Sequence, residues 1–388
     1  MKNFVYNIPT KVYFGENQLK NLHAEIAVFG KKVLLTYGGG SIKKSGLYDA
    51  VKAELDKAGM TVFELSGIEP NPRISSVRKG AELCKKEGID VLLAVGGGST
   101  IDATKWMAAG ACVEHDPWEF FSRWAPVERA LPVVSVLTLA ATGSEMNGGG
   151  VISNPETQDK IGRVESILRP KVSFLDPTAT YSVSRYQTAC GSADIFSHIL
   201  EVYFAPDKGL DMVDGFMESM LRAVIKYAPI AMAEPCNYEA RANLMWASSW
   251  AINGFVAAGK SHAWSCHPME HELSAIYDIT HGLGLAILTP RWMKHCLSEK
   301  TVGRFAQYAV NVFGLNADMP PMDAAIEGIK RTEKFLFETL GLDDTFTKVG
   351  IGEENLALMA NKACGGGVLP AFVPLSAQDI ESIFRACL

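Results

Sequence analysis

The chain has 388 residues, 48% of them hydrophobic, and a formal net charge of −6, with an isoelectric point near 5.8. That length allows two domains with ordinary cores, and the interspersed charges exclude a basic face for nucleic acid or an anionic membrane. No apolar run reaches the ~18 residues of a membrane span and residues 1–9 hold no long apolar core, so the chain is expected in the cytoplasm, its eight cysteines reading as buried thiols without a C-x-x-C pair.

Residues 4–14 alternate and contain Pro9, the pattern of an edge or exchanged strand. A strand and helix rhythm follows: strands at 32–37, 61–65, 90–95 and 131–139, with helices at 46–55 and 75–87 and another opening after Gly96-Gly97-Gly98. Such alternation predicts a mostly parallel sheet covered on both faces. Near residues 175–178 the rhythm stops, and 183–388 show long helical periodicities, such as 212–227 and 238–255. The fold class expected is an α/β dinucleotide-binding domain over 1–180 plus an all-α domain over 181–388.

Two glycine turns follow strands. Gly96-Gly97-Gly98-Ser99 opens a helix, so free backbone N–H groups and the helix dipole form a phosphate cradle, with Asp102 and Lys105 nearby. Gly38-Gly39-Gly40-Ser41 stands where a dinucleotide fold often carries an acid for the ribose 2′-hydroxyl. With Gly38 there, and Ser41, Lys43 and Lys44 beside it, a 2′-phosphate is accepted, which points to NADP(H).

A third pattern holds four of the eight histidines. Asp194 and His198, then His267 and His271, are each four apart in segments that read as helix, so each pair shares one helix face. His281-Gly282 follows. One carboxylate with three imidazoles suits a borderline divalent metal and leaves room for a substrate oxygen. The aromatics Trp250, Phe255 and Trp264 read as core.

These motifs together resemble the iron-containing, group III alcohol dehydrogenases, related in fold to dehydroquinate synthase, and within them the NADPH-dependent butanol dehydrogenase and aldehyde reductase branch. The marks are Gly96-Gly-Gly-Ser-x-x-Asp102-x-x-Lys105, Thr142-Gly-Ser-Glu145 with Asn147, Lys160, Asp176-Pro177, Asp194-x-x-x-His198, and His267-x-x-x-His271 with His281-Gly282. The resemblance implies Asp194, His198, His267 and His281 as metal ligands and His271 as the proton-passing residue. It also implies Gly97, Gly98, Ser99, Thr138, Thr142, Asn147 and Lys160 around the cofactor; Gly38, Gly39, Ser41 and Asp102 join them from the glycine turns. Fe²⁺ is implied, Zn²⁺ binds such donors more tightly, and a homodimer is expected through the N-terminal strands.

The expected chemistry is hydride transfer between NADP(H) and a small aldehyde or primary alcohol. A glycerol dehydrogenase-like or dehydroquinate synthase-like enzyme and a non-catalytic metal- and nucleotide-binding redox sensor are the alternatives. A sugar-phosphate substrate would need a basic cluster, and Lys260 stands nearly alone near the histidines.

Overall fold

The computed structural model describes residues 1–388. The chain divides into two compact units: residues 7–184 with 234–253, and residues 1–6 with 185–233 and 254–388.

The first unit is built on eight strands, β1 (Lys11–Phe14), β2 (Lys32–Tyr37), β3 (Thr61–Leu65), β4 (Val91–Gly96), β5 (Val133–Leu137), β6 (Gly149–Asn154), β7 (Asp159–Val164) and β8 (Val172–Leu175). Six form a parallel sheet in the order β1-β8-β5-β4-β2-β3. Alternate side chains explain its burial. Val33, Leu35, Val91, Leu93, Val95, Val134 and Val136 enter one core, while Leu34, Leu92 and Val133 enter the other. Each such side chain contributes about 1.5–3 kcal/mol when fully buried, so both faces must stay covered.

Three features differ from the sequence reading. Of residues 4–14 only Lys11–Phe14 pair, at the sheet edge against β8, because Pro9 and the residues before it take no place in the ladder. The strands β6 and β7 form an antiparallel hairpin that the reading did not anticipate; its glycine-rich and charged residues carry no clean apolar alternation. The helix Tyr238–Ile252 belongs to the α/β unit, packing on Pro177–Thr180 and Ser144–Met146.

The helix Gly98–Gly110 is buried at twelve of its thirteen positions. Small residues let it approach its neighbours: a Cβ at Gly110 would lie 2.9 Å from Ala81, and one at Gly98 only 2.1 Å from Thr142 Oγ1. The second unit is helical, with Arg185–Tyr203, Asp211–Ala233, Cys266–Tyr277 and His281–Cys296 at its centre. A Cβ at Gly282 would fall 2.0 Å from the Cys190 carbonyl oxygen. Glycine there lets the start of the His281–Cys296 helix rest directly on the Arg185–Tyr203 backbone. Five of the cysteines are buried, Cys112 and Cys364 are partly so, and Cys236 is exposed.

Candidate metal centre

Asp194 and His198 project one turn apart from the Arg185–Tyr203 helix, with 3% and 4% of their surfaces exposed. His267 lies in the first turn of Cys266–Tyr277, and His281 is the first residue of His281–Cys296. The Nε2 atoms of His198, His267 and His281 stand 3.6, 3.7 and 3.7 Å from a single oxygen, Asp194 Oδ1. These separations are too long for hydrogen bonds. Each equals a ligand-to-ligand edge of a tetrahedron whose centre-to-ligand bonds are about 2.2–2.3 Å, and Asp194, His267 and His281 offer ligand atoms that all lie within 4.8 Å of one another. Asp194 Oδ1 and His267 Nε2 are buried without a hydrogen-bond partner, a cost of about 1–3 kcal/mol each that a cation would remove. The donors fit a divalent metal.

The backs of two imidazoles are held by carboxylates that the sequence reading did not single out. His267 Nδ1 lies 2.5 Å from Glu201 Oε1, and His281 Nδ1 is bonded to Glu270 Oε2. Such partners fix the tautomer that turns Nε2 outward. Burial opposes the charge of Asp194, but the imidazoles of His198, His267 and His281 overcome it and hold the carboxyl below the usual carboxylate range. Burial pushes His198 down to about 4 against the pull of Asp194. On His267 burial also works against the proton, yet Glu201 and Asp194 raise it to about 10.

His271 follows His267 by one turn, its ring centroid 6.4 Å from that of His267 and 5.9 Å from that of His281. It borders the cluster, and its nitrogens are not among those that meet Asp194 Oδ1. Trp264 packs against both His267 and His198, at 4.8 and 5.8 Å between centroids. Lys260 is spent on Asp214 at 3.0 Å.

In the α/β unit the glycine turn after β4 runs extended at Gly97 and enters the helix at Gly98. The Thr138 N–H donates to the Gly96 carbonyl at 3.0 Å, and Thr142 fills the space beside Gly98, so Gly97, Gly98, Ser99, Thr138 and Thr142 gather at the carboxyl edge of β4 and β5. Asp102 points into the protein: Ser144 Oγ donates to its Oδ1 at 2.5 Å and the Val151 N–H to its Oδ2 at 2.9 Å. Lys105, fully buried, donates to Ser144 Oγ at 2.8 Å, Asn147 Oδ1 at 3.2 Å and the Gly149 carbonyl at 2.8 Å. Burial lowers its ammonium to about 8. Asn147 donates through Nδ2 to the Gly143 carbonyl at 3.0 Å. Asp102, Lys105 and Asn147 thus shape the turn from within, and Lys160 lies on β7 of the hairpin.

After β2, a Cβ at Gly38 would come 3.1 Å from the Ile68 carbonyl oxygen, while Gly39 and Gly40 face open space and Ser41 begins a short helix. Lys43 Nζ lies over the rings of Tyr37 and Tyr48 at 5.2 and 4.7 Å, and both phenols donate to Glu64. A separate cavity of about 390 Å³ opens at the ends of β5 and β8 beside Gly46; none of the expected cofactor residues lines it.

A signal for the two missed acids was present: His198-Ile-Leu-Glu201 and His267-Pro-Met-Glu270 repeat a His-x-x-Glu spacing. Glu201 serves His267 across helices, and Glu270 serves His281.

Residues 9–177 match the family model for iron-containing alcohol dehydrogenase, and residues 188–388 match the model for the C-terminal part of the Fe-containing alcohol dehydrogenase family. The chain is 48% identical over 387 residues to NADH-dependent butanol dehydrogenase A of Clostridium acetobutylicum, covering 99% of each chain. It is 36% identical over 367 residues to the NADPH-dependent aldehyde reductase YqhD of Escherichia coli, covering 93% of each. The crystal structure of NADH-dependent butanol dehydrogenase A from Thermotoga maritima superposes with a TM-score of 0.95 at 38% identity, over 100% of this chain and 99% of that one. With both halves matched and near-complete coverage by relatives, the chain belongs to the iron-containing alcohol dehydrogenase family.

Proposed function

We propose that the chain carries out reversible hydride transfer between NADP(H) and short-chain aldehydes or primary alcohols, with Fe²⁺ or Zn²⁺ held by Asp194, His198, His267 and His281. The observation that carries this reading is the convergence of three imidazole Nε2 atoms on one oxygen of Asp194 in a buried setting. When bound, the metal supplies Lewis acidity at the carbonyl oxygen and NADPH supplies the hydride. Asp194 sets the charge of the site, and Glu201 and Glu270 keep His267 and His281 turned to it. His271, beside the ligands, hands a proton from a ring nitrogen to the product oxygen.

The turn after β4, kept glycine-only at 98 by Thr142, supports pyrophosphate binding by backbone N–H groups. The NADP(H) preference is supported by the absence of a carboxylate at Gly38 and by Ser41 and Lys44 beside it. The names of the relatives divide between NADH and NADPH, and a direct comparison of the two cofactors decides between them. A cytoplasmic homodimer meeting at the β1 edge belongs to the same proposal, because an edge strand is a template for pairing.

The test is oxidation of NADPH and NADH with butanal by protein stripped of metal and refilled with Fe²⁺ or Zn²⁺. Activity restored by metal and faster with NADPH is the expected result. Equal or better rates with NADH would overturn the cofactor preference alone, and metal-independent activity would overturn the assignment of the ligands.

A further inference from the structure

The helix Cys266–Tyr277 begins without a side-chain cap of its own: Ser265, at the N-cap position, makes no such hydrogen bond. Its leading amides are met from another helix instead. Glu201 Oε2 accepts the N–H groups of Ser265 at 2.6 Å and Cys266 at 2.7 Å. Glu201 Oε1 takes His267 Nδ1 at 2.5 Å and Ser197 Oγ at 3.0 Å. Glu201 is 1% exposed, and with the His267 backbone N–H, 3.4 Å from Oε2, this single buried carboxylate answers five donors.

Two jobs meet in that group. The first N–H groups of a helix have no partner within the helix and carry the positive end of its dipole, so a carboxylate there both caps and counterbalances it. The same carboxylate receives Nδ1–H of His267, which aims Nε2 at Asp194 Oδ1, 3.7 Å away. The other imidazoles lack this arrangement. Glu270, behind His281, has its second oxygen bonded to Ser274 Oγ within its own helix, and His198 Nδ1 has no hydrogen-bond partner.

We propose that Glu201 is a positioning residue that makes closure of the Cys266–Tyr277 helix start and capture of metal at His267 a single event. The inference rests on the reading of Asp194, His198, His267 and His281 as metal ligands. In the capped state the imidazole is already aimed; when the leading amides open, the carboxylate that aims it is released with them. Metal bound at His267 Nε2 therefore holds the helix start closed.

Two readouts other than turnover test this: the dissociation constant for Zn²⁺ by chelator competition, and amide hydrogen exchange across residues 262–270, with and without Zn²⁺. Wild-type protein is expected to exchange more slowly there when loaded. Glu201→Gln is expected to bind Zn²⁺ about 10–100-fold more weakly and to exchange faster at Ser265 and Cys266. Glu270→Gln should lose affinity by a similar factor while those amides exchange as in wild type. Should Glu201→Gln fail to fold, Ser197→Ala serves, with affinity reduced a few-fold and the same amides exposed to a lesser degree. Open amides with undiminished Zn²⁺ affinity in either variant would reduce Glu201 to a helix cap, and weak Zn²⁺ with unchanged exchange would reduce it to a partner of His267; each overturns the coupling. Wild-type protein that binds no divalent metal would overturn the ligand assignment itself.

Discussion

Around Lys105, in the α/β unit, the ammonium spends its donors on Ser144, Asn147 and Gly149, and neighbouring Asp102 is closed by Ser144 and Val151. Around Asp194, in the helical unit, the supporting acids are just as firmly held, yet Asp194 Oδ1 and His267 Nε2 are left without hydrogen bonds. Both clusters are buried and both mix charges of opposite sign. The difference lies in what is left over. A cluster that satisfies itself is scaffold, whereas one whose unmet atoms share a common centre is a receptor for a cation.

Asp194→Ala is expected to abolish stoichiometric metal, measured by elemental analysis, and to cut turnover by about 10³-fold or more, the several kcal/mol that Lewis-acid assistance supplies. His271→Ala should keep its metal and lose about 10²-fold in kcat; loss of the metal would move His271 into the ligand set.

Lys105→Met acts on the self-satisfied cluster of the α/β unit. It strands three acceptors, for an expected loss of about 2–3 kcal/mol in denaturant unfolding of the α/β unit, while Zn²⁺ affinity stays as in wild type. An altered affinity would mean that the scaffold cluster also serves the metal.

A smaller effect appears with pH. The folded ammonium of Lys105 lies at about 8, below its ordinary 10.5, so between those values the unfolded chain binds more protons and this group's contribution rises with pH. The buried thiols act in the opposite sense. Cys84, Cys190, Cys296 and Cys387 are raised from 9.0 to about 12 by burial; the stability they add is full below pH 9 and is lost as pH climbs towards 12. Four thiols outweigh one lysine, so unfolding free energy should fall above pH 9, and more steeply in Lys105→Met, as followed by chemical denaturation. The smallest expected change is in cofactor choice: Gly38→Asp should shift the NADPH to NADH ratio of kcat/KM roughly fivefold towards NADH, the size of one exposed charge contact.

Much of this was legible in the sequence because it depends on neighbours in the chain. The strands β2 and β3 run over 32–37 and 61–65 as their apolar runs predict, and the four-residue spacing of Asp194 and His198 carries their shared face directly. What escaped depends on partners far along the chain. Glu201 reads as an ordinary helical acid until His267, 66 residues later, is folded against it. Asp102 and Lys105 read as residues near a phosphate, yet the hairpin β6–β7, itself missed, supplies the backbone groups that turn them inward.

The helix Tyr238–Ile252 adds an order of events during synthesis. Because residues 234–253 belong with residues 7–184, the α/β unit cannot be completed until position 253 has left the ribosome. By then Asp194 and His198 are already outside, and His267 and His281 have not yet emerged. The α/β unit can therefore first close while the chain carries two of the four residues proposed to hold metal, and a cut at residue 184 would deliver neither unit whole.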